Sequence, residues 1–446
     1  MPATPLDSAL YADLMGDPGV AHLFGDSAEV RAMLLVLGAL AEAQGAAGII
    51  PETSAAAIKR ASHEVQIDPA GLSAATGANA VPVPALVAAF RAAMNAPEHA
   101  QYIHWGATSQ DIMDTALVLR LRQVLAIAEM RLVAVIRALG DLAGAHADLP
   151  MTGRTYGQAA VPTSFGALVA SWGAPLLGYH AKLTVVREDL LHVSLSGAAG
   201  TLSVLGDKGP EVRATLARAL KLKDPGASWH TTRDTVAGFG GWATGVLGAL
   251  GKMGEDLILL TQSGIGEVAL KGTGASSTMP QKANPVAPSV LSALARLSIG
   301  LNAALQGAAL HRQQRDGAAW MTEWLTLPQI AVALGRGLTT AGEMVPGIAP
   351  VPGAMARNLD ATGGAVFAEA LSFALTAHMA RPEAQAEAKA LAAEARDSGR
   401  SLEEVAGVAH PDLPADLFDA RAALGQAPAE ARGFAAAAAA LKAPEG

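Results

Sequence analysis

One polar loop of this 446-residue chain carries the side chains best suited to chemistry. It is the segment LKGTGASSTMPQKANPV, residues 270–286, and it lies between two stretches with long helical patterns. A loop of this length inside a helical chain is usually functional. Gly272 and Gly274 permit it to move, and Lys282 and Asn284 supply groups that bind and hydrogen-bond an anion. The segment predicts an anion-binding site, with a plain connection between helices as the alternative.

Long helices must position this loop. Apolar residues recur every three or four positions, with charges between them, over residues 114–146, 163–192, 232–263 and 285–310. A helix of about thirty residues extends about 45 Å at 1.5 Å per residue, and such helices must bury their faces against one another. Aromatic residues make up only 4% of the chain, which disfavours a sandwich or barrel. The pattern predicts an all-α fold with a long central helical bundle.

Two proline-containing breaks divide this helical pattern. They are GANAVPVPAL, residues 77–86, and PGIAPVPG, residues 346–353. The sequence therefore predicts an N-terminal helical domain over residues 1–110, a central long-helix bundle over 111–350 and a smaller C-terminal helical domain over 351–446.

Composition excludes several classes of protein. With 51% hydrophobic and 16% charged residues the chain is too apolar for intrinsic disorder. Because it has no cysteine, disulfides, thiolate nucleophiles and zinc–thiolate sites are excluded. A net charge of −8 without a basic run disfavours nucleic-acid and anionic-membrane partners. No metal-ligand or nucleotide-binding motif occurs, so no cofactor is predicted.

The amino terminus indicates a cytoplasmic protein. Its first residues carry Asp7, Asp13 and Asp17 and no basic residue, unlike a secretory signal. No run of about 18 apolar residues is free of charge, so no membrane-spanning helix is predicted.

Three motifs resemble one known superfamily. GASSTMPQKANP, residues 274–285, resembles the GSSxMPxKxNP signature of the fumarase/aspartase superfamily, with Ala275 where a glycine is usual. HWGATSQDIMDT, residues 104–115, and MTGRTYGQAAVPTSFG, residues 151–166, are similar to two further segments of it. The resemblance covers essentially the whole chain. It implies a homotetramer whose active sites combine segments of three subunits.

Within the superfamily the resemblance is closest to the bacterial 3-carboxy-cis,cis-muconate cycloisomerases. It rests on residues 75–87, SWHTTRD at 228–234, AAWMTEWLTLPQ at 318–329 and residues 358–378. It implies lactonisation of a small tricarboxylate in aromatic-compound catabolism (the β-ketoadipate pathway), in which a substrate carboxylate adds to the substrate's own double bond. Such a reaction needs no cofactor.

The resemblance implies catalytic roles for three loop residues. Ser276 aligns with the catalytic base of the superfamily and would deliver the proton in the cyclisation direction. A serine needs positive surroundings to act so. Lys282 and Asn284 are suited to stabilise the negative charge that develops on a substrate carboxylate.

The resemblance also implies a set of substrate ligands. Five residues match substrate-binding positions of the family: Thr108, Ser109, Gln158, Arg233 and Arg315. His104 and His230 either line the pocket or are buried, hydrogen-bonded histidines. Arg154 either binds substrate or forms a structural salt bridge.

Departures from the family pattern bear on the chemistry. Tyr156, a further predicted pocket residue, stands where amine-eliminating members have a histidine that assists the leaving group, and Ala159 replaces a second histidine. Amines leave poorly without a general acid, whereas a carboxylate, with a parent acid of pKa about 4, leaves without one. Gln313 and Met321 replace residues typical of cycloisomerases, often histidines, and predict a difference in substrate detail or rate.

Two other functions remain open at this point. One is a different lyase of the superfamily, acting on adenylosuccinate or a related succinate, which Tyr156 argues against. The other is a helical scaffold that has kept the fold and lost the chemistry.

Overall fold

The computed structural model of the chain is predominantly helical and describes residues 4–272, 274–275, 279 and 282–442. Short 3-10 turns join many of the helices. The α-helices are α1 Ala12–Met15, α2 Pro18–Ala21, α3 Asp26–Ala46, α4 Glu52–Glu64, α5 Ser73–Asn79, α6 Val83–Met94, α7 Pro97–Ala100, α8 Ser109–Ala145, α9 Phe165–Ala181, α10 Leu183–Leu190, α11 Gly209–Leu220, α12 Asp234–Leu260, α13 Val286–Ala308, α14 Gly317–Met344, α15 Pro352–Asp360, α16 Ala368–Ala374, α17 Arg381–Ser398, α18 Leu402–Ala409 and α19 Ala427–Ala439.

The strands of the described residues are short and antiparallel. They are β1 Pro150–Thr155, β2 Gln158–Ser164, β3 Val268–Leu270, β4 Gly274–Ala275, β5 Ala283–Asn284 and β6 Ile348–Pro350. They pair as β1 with β2, β3 with β6 and β4 with β5. Helical periodicity does not reveal such short pairs, and none of them was predicted.

Most of the predicted long helices are confirmed. The patterns over 114–146, 232–263 and 285–310 correspond to α8, α12 and α13, with ends shifted by a few residues. The prediction of one helix over 163–192 is wrong, because α9 ends at Ala181 and α10 begins at Leu183, with a turn at Lys182 between them. Leu183 continues the apolar spacing and is buried, so periodicity does not mark this break. Helix α14 was not predicted.

The chain forms two compact units. Unit 1 comprises the chain up to Glu129, Ala181–Leu247 and Leu294–Gly337. Unit 2 comprises Met130–His180, Gly248–Ala293 and the chain from Leu338 onward. The three-domain division stays a prediction.

The core of unit 1 holds the start of α8 in place. Ile112 and Ala116 of that helix are fully buried in a cluster with Leu37 of α3, Ile58 of α4 and Phe90 of α6. Burying each of the larger side chains, such as Ile112, contributes about 1.5–3 kcal/mol. The first turn of α8, which carries the Thr-Ser pair, is therefore anchored by its apolar face.

Helix α13 is long and apolar enough to cross a membrane, judged by length and composition alone. A single helix of this kind does not establish a membrane span, since the core helix of a soluble protein can have the same length and composition. The sequence analysis assigned residues 285–310 to the helical bundle from their apolar spacing and predicted no membrane-spanning helix.

Candidate active site

The first turn of α8 presents Thr108 and Ser109. The backbone N–H of Thr108 donates to Oδ2 of Asp111 at 2.9 Å, as in one half of a capping box. This bond satisfies an amide just ahead of the helix and fixes the direction in which the chain enters it. The N-terminus of a helix attracts anions through its unpaired N–H groups and its dipole.

A cavity of about 270 Å³ in unit 1 opens beside this turn. Its lining residues are Asn79, Ala80, Val81, Thr108, Ser109, Gln110, Arg315, Gly317, Trp320, Met321 and Trp324. Polar groups come from the α8 turn and Arg315, whereas the indoles of Trp320 and Trp324, with ring centroids 4.9 Å apart, form an apolar wall. The cavity combines anion-binding groups with a surface suited to a flat unsaturated body.

Arg315 is held in place by the α8 turn. Its Nε donates to Oε1 of the buried Gln110 at 2.8 Å, and its Nη2 donates to the carbonyl of Ala198 at 3.2 Å. These two bonds leave further N–H groups of the guanidinium for a carboxylate, which it can bind in a bidentate manner.

The residue after Arg315 caps the following helix. Oδ1 of Asp316 accepts from the amides of Ala318 and Ala319 at the start of α14. The side-chain hydrogen bond from Arg312 and the amide of Ala319 hold the pKa of Asp316 well below its usual range. The loop that carries Arg315 therefore enters α14 at a fixed angle.

Asp111 connects three segments of unit 1. This buried carboxylate accepts from the amides of Thr108, Ser196 and Gly197 at 2.8–3.0 Å and lies 2.8 Å from Nε2 of His230. His230 is also buried, and its carbonyl accepts from Gln110 at 2.9 Å.

Arg233 lies in a buried cluster of charges. Its Nη1 and Nη2 donate to Asp114 at 2.7 and 3.1 Å, and its Nε and Nη2 donate to Glu323 at 2.8 and 2.6 Å. Burial alone would lower the pKa of Arg233, but the two carboxylates outweigh it and raise that pKa above its usual range. A substrate carboxylate would have to displace Asp114 or Glu323. The arrangement therefore gives no support to the predicted role of Arg233 as a substrate ligand.

His104 has a strained backbone and a desolvated ring. Its φ is +67°, a left-handed conformation that costs a residue other than glycine about 1–2 kcal/mol. Its Nε2 is buried without a hydrogen-bond partner among the described residues, and burial lowers the pKa of the ring. His104 is not among the residues lining the 270 Å³ cavity, so its substrate-binding role stays a prediction.

In unit 2, the predicted catalytic loop is closed at its base by a two-residue ladder. Gly274 pairs with Asn284, which is half-buried, while Lys282 is exposed. A Cβ on Gly274 would lie 2.7 Å from Cγ2 of Val286, so only glycine fits here without a shift. Ser276 lies outside the described residues.

Tyr156 lies at the tip of the β1–β2 hairpin. Tyr156 and Gly157 both have positive φ, as a two-residue primed turn requires, and the pair Thr155 and Gln158 closes it. Tyr156 is fully exposed and Gln158 is exposed. Neither side chain packs into the core of unit 2.

Arg154 forms a salt bridge, as the structural one of its two predicted roles requires. Nη1 and Nη2 donate to the two oxygens of the buried Glu267 at 2.8 and 2.7 Å. Asn358 donates to Glu267 as well, at 2.8 Å. These contacts tie strand β1 to the start of β3.

The structure thus brings Thr108, Ser109 and Arg315 to one cavity. His104 and Arg233 also belong to unit 1 but do not line this cavity, whereas Lys282, Asn284, Tyr156 and Gln158 belong to unit 2. Sequence reasoning missed Gln110 and Trp324 as cavity residues. Both lie inside the motifs it quoted, so their neighbours in the sequence were the available signal.

A second cavity of unit 1 is larger, about 610 Å³, and shares the Trp320–Trp324 wall. Its carboxylates include Asp26 and Glu29, and Arg120 in its wall is already bonded to Glu29 at 3.4 Å. This cavity is poorly suited to an anion, and the smaller one is the better candidate for a carboxylate substrate.

The chain matches a family model described as lyase over residues 18–300. It belongs to this lyase family. This match confirms the predicted resemblance to the fumarase/aspartase superfamily. The similarity to a solved structure, given in the next paragraph, confirms the predicted all-α fold.

Known relatives of this lyase include several cycloisomerases. The 3-carboxy-cis,cis-muconate cycloisomerase of Pseudomonas aeruginosa is 37% identical, over 91% of this chain and 90% of that protein. The nitrosuccinate lyase of Streptomyces davaonensis is 35% identical, over 91% of this chain and 88% of that protein. The crystal structure of the 3-carboxy-cis,cis-muconate lactonizing enzyme from Pseudomonas putida has a TM-score of 0.91 and 34% identity, covering 97% and 99% of the two chains.

The described part of this lyase holds no group of three or more His, Asp or Glu side chains arranged for a metal ion. The polar groups of the candidate site are instead a guanidinium, hydroxyls, amides and a helix N-terminus.

Proposed function

We propose that this lyase is a cycloisomerase that converts 3-carboxy-cis,cis-muconate to carboxymuconolactone. One observation carries the proposal: the 270 Å³ cavity combines Arg315 and the α8 turn with the Trp320–Trp324 wall. A polyanionic, conjugated acid has carboxylates for the first surface and a flat apolar body for the second. The 33–38% identity to four proteins named as this cycloisomerase supports it.

The reaction moves electrons within one molecule. A carboxylate oxygen of the substrate bonds to a carbon of its own double bond, and the displaced electron pair moves to the carbon beside another carboxylate. That carbon then takes a proton. At neutral pH the trianion becomes a lactone with two carboxylates, so one proton is consumed per turnover.

Three loop residues are proposed to carry out the proton transfer and the charge stabilisation. Ser276 supplies the proton in the cyclisation direction and removes it in reverse. Lys282 and Asn284 stabilise the carboxylate that receives the extra charge, and Lys282 also supplies the positive field that a serine needs. The exposure of Lys282 and the ladder that holds Asn284 in unit 2 are compatible with a loop that completes a site.

Tyr156 supports lactonisation over amine elimination. At the tip of its hairpin it offers a phenol, which is a weaker acid than the protonated imidazole that a histidine would offer. Ring opening of a lactone expels a carboxylate, which needs no such proton. A fumarate-forming lyase acting on an amine-linked succinate would lack its acid here.

We also propose that the enzyme is a cytoplasmic homotetramer with active sites shared between subunits. The full exposure of Tyr156 supports this, because a substrate-binding side chain on a protruding hairpin needs a second surface. Exposed apolar side chains on the long helices support it as well: Leu259, Leu297, Ile299 and Leu325.

The test of the activity is a spectrophotometric assay with 3-carboxy-cis,cis-muconate. We expect loss of the ultraviolet absorbance of the diene together with uptake of one proton per molecule, read with a pH indicator. The Ser276→Ala variant should lose at least about 10²-fold in kcat, the usual contribution of a general acid or base. No change with the muconate, but fumarate release from adenylosuccinate, would contradict the proposal, and so would full activity of Ser276→Ala.

The test of shared sites is complementation between two inactive variants. Ser276→Ala and Thr108→Ala should each be nearly inactive alone and should regain part of the activity when they are co-refolded, because mixed tetramers contain some intact sites. The native mass should be four times the 45.1 kDa of a single chain. A monomeric mass, or no recovery on mixing, would refute shared sites.

A further inference from the structure

His230 lies outside the lining of the 270 Å³ cavity, yet it contacts both elements that build the cavity's polar side. Its ring reaches Asp111, which holds the Thr108 amide. Its carbonyl holds Gln110, which in turn holds Arg315. One buried residue is therefore linked both to Thr108, through Asp111, and to Arg315, through Gln110.

The bond between His230 and Asp111 has a defined direction. Oδ1 of Asp111 accepts from the Ser196 amide and Oδ2 accepts from the amides of Thr108 and Gly197. Backbone amides only donate, and the Ser194 hydroxyl also donates to Oδ1, at 3.4 Å, so both oxygens act as acceptors and Nε2 of His230 is the donor in its contact with Oδ1. This contact fixes the tautomer of His230, with Nε2 protonated.

The other ring nitrogen of His230, Nδ1, makes no hydrogen bond to the described residues. This nitrogen is also buried. The ring therefore acts on its surroundings through Nε2 alone, and a side chain that places an N–H at the same point should replace it.

The segment around His230 is itself rigid. The Nε1–H of Trp229 donates to the carbonyl of Val193 at 2.9 Å, and the guanidinium of Arg233 lies 4.7 Å from the Trp229 ring. Arg233 ties the same segment to Asp114, one turn after Asp111 on α8. The imidazole is thus presented to α8 from a fixed support.

We propose that His230 is a positioning residue of the substrate cavity, which orients the α8 turn through Asp111 and Arg315 through Gln110. The inference rests on the proposed function in that the cavity takes a polycarboxylate, and it adds a residue that acts on the substrate only through others. Loss of the Nε2 bond leaves Asp111 short of one donor and frees the turn to move.

The test uses two amides that mimic different ring nitrogens. In His230→Gln the side-chain N–H reaches the place of Nε2, and in His230→Asn it reaches only the place of Nδ1. We expect His230→Gln to keep the affinity of the full-length protein for propane-1,2,3-tricarboxylate within about threefold by calorimetry. His230→Asn should lose about tenfold to hundredfold, the usual range for a lost hydrogen bond to a charged group. In turnover the loss should appear in KM, with kcat changed less.

A second test variant and a control variant complete the experiment. Gln110→Ala breaks the link to Arg315 without touching the buried carboxylate, and we expect it to weaken tricarboxylate binding as His230→Asn does, even if His230→Asn does not fold. His378→Gln, at an exposed histidine paired with Asp412 at 3.0 Å in unit 2, is the matched control and should bind as wild type does.

Several outcomes would overturn the proposal. If His230→Gln folds and loses as much affinity as His230→Asn, an N–H at the place of Nε2 is not what holds the cavity, and the proposed role of the Nε2 bond is refuted. If neither variant nor Gln110→Ala weakens binding, or if the wild-type protein does not bind the tricarboxylate, His230 positions nothing. Failure of the proposed function is seen separately: the wild-type protein then binds the tricarboxylate but leaves the muconate diene intact.

Discussion

The buried cluster around Arg233 gives the sharpest stability prediction. Its four hydrogen bonds reach two carboxylates, and the side chains of Arg233, Asp114 and Glu323 are each 1–2% exposed. Replacing Arg233 by methionine keeps the length and removes the charge, which leaves two carboxylates buried without their cation. Breaking a buried ion pair in this way costs about 3–5 kcal/mol. We expect Arg233→Met to lower the free energy of unfolding by that amount at pH 7.

The loss should shrink in acid. Burial already raises the pKa of Glu323, against the pull of Arg233. Without that cation the pKa of Glu323 in the folded variant rises further above the pKa of the same group in the unfolded chain. The folded variant therefore takes up a proton at Glu323 more readily. Its stability relative to wild type should therefore recover as the pH falls from 7 to 5, by at most about 2.7 kcal/mol for one proton at 1.36 kcal/mol per pH unit.

The assay is urea unfolding followed by circular dichroism at a fixed protein concentration, since assembly shifts apparent stability. Arg396→Met is the matched control. Arg396 pairs with Asp397 at 3.2 Å, but both side chains are about three-quarters exposed, so the change should stay within about 1 kcal/mol. A loss below 1 kcal/mol in Arg233→Met, or a loss independent of pH, would refute the structural role of the cluster.

Three further predictions concern other parts of the molecule. Arg315→Lys removes the planar fork that reaches Gln110 and Ala198, so kcat/KM should fall about tenfold to hundredfold; an unchanged value would exclude Arg315 from the site. Burial and Arg233 lower the pKa of His311 in the folded state, so wild-type stability should fall as the pH drops below about 6.5, by about 1.36 kcal/mol per unit of pKa shift. His311→Gln should reduce this slope in melts at pH 5–7, and an identical slope would contradict it. Gly274→Ala should lower activity because its Cβ meets Val286, and Gly274→Ala/Val286→Ala should regain it; equal losses in both would mean that the contact does not matter.

Sequence reasoning predicted the parts of the fold that depend on repeated burial. Helices α8, α12 and α13 follow from apolar residues at helical spacing, because each must bury one face along its whole length. The β1–β2 hairpin depends instead on a two-residue turn at Tyr156 and Gly157. Tyrosine is rarely found at positive φ, so its presence does not predict such a turn. Periodicity carries no information about such a turn.

The candidate site shows the same limit more clearly. Thr108, Ser109 and Arg315 were found by motif, and the fold places them around one cavity although 205 positions separate Gln110 from its partner Arg315. Arg233 matched the family pattern equally well, but Asp114 and Glu323 take up its hydrogen bonds. A motif shows which side chains are present. Only the folded structure shows whether their hydrogen-bond donors are free for a substrate or already bonded to other residues.

The charge of the chain illustrates how a local site can oppose the global composition. A net charge of −8 would repel a trianion at long range, yet exposed charges are screened beyond about 8 Å at physiological ionic strength. Inside the 270 Å³ cavity the nearest groups are the guanidinium of Arg315 and the N-terminus of α8, both of which attract carboxylates. The carboxylate of Asp111, which belongs to that turn, accepts hydrogen bonds from three amides and contacts His230. These donors offset its negative charge. Arg315→Gln should therefore weaken tricarboxylate binding more at low salt than at high salt, whereas Arg396→Gln on the exposed surface should leave it unchanged at both.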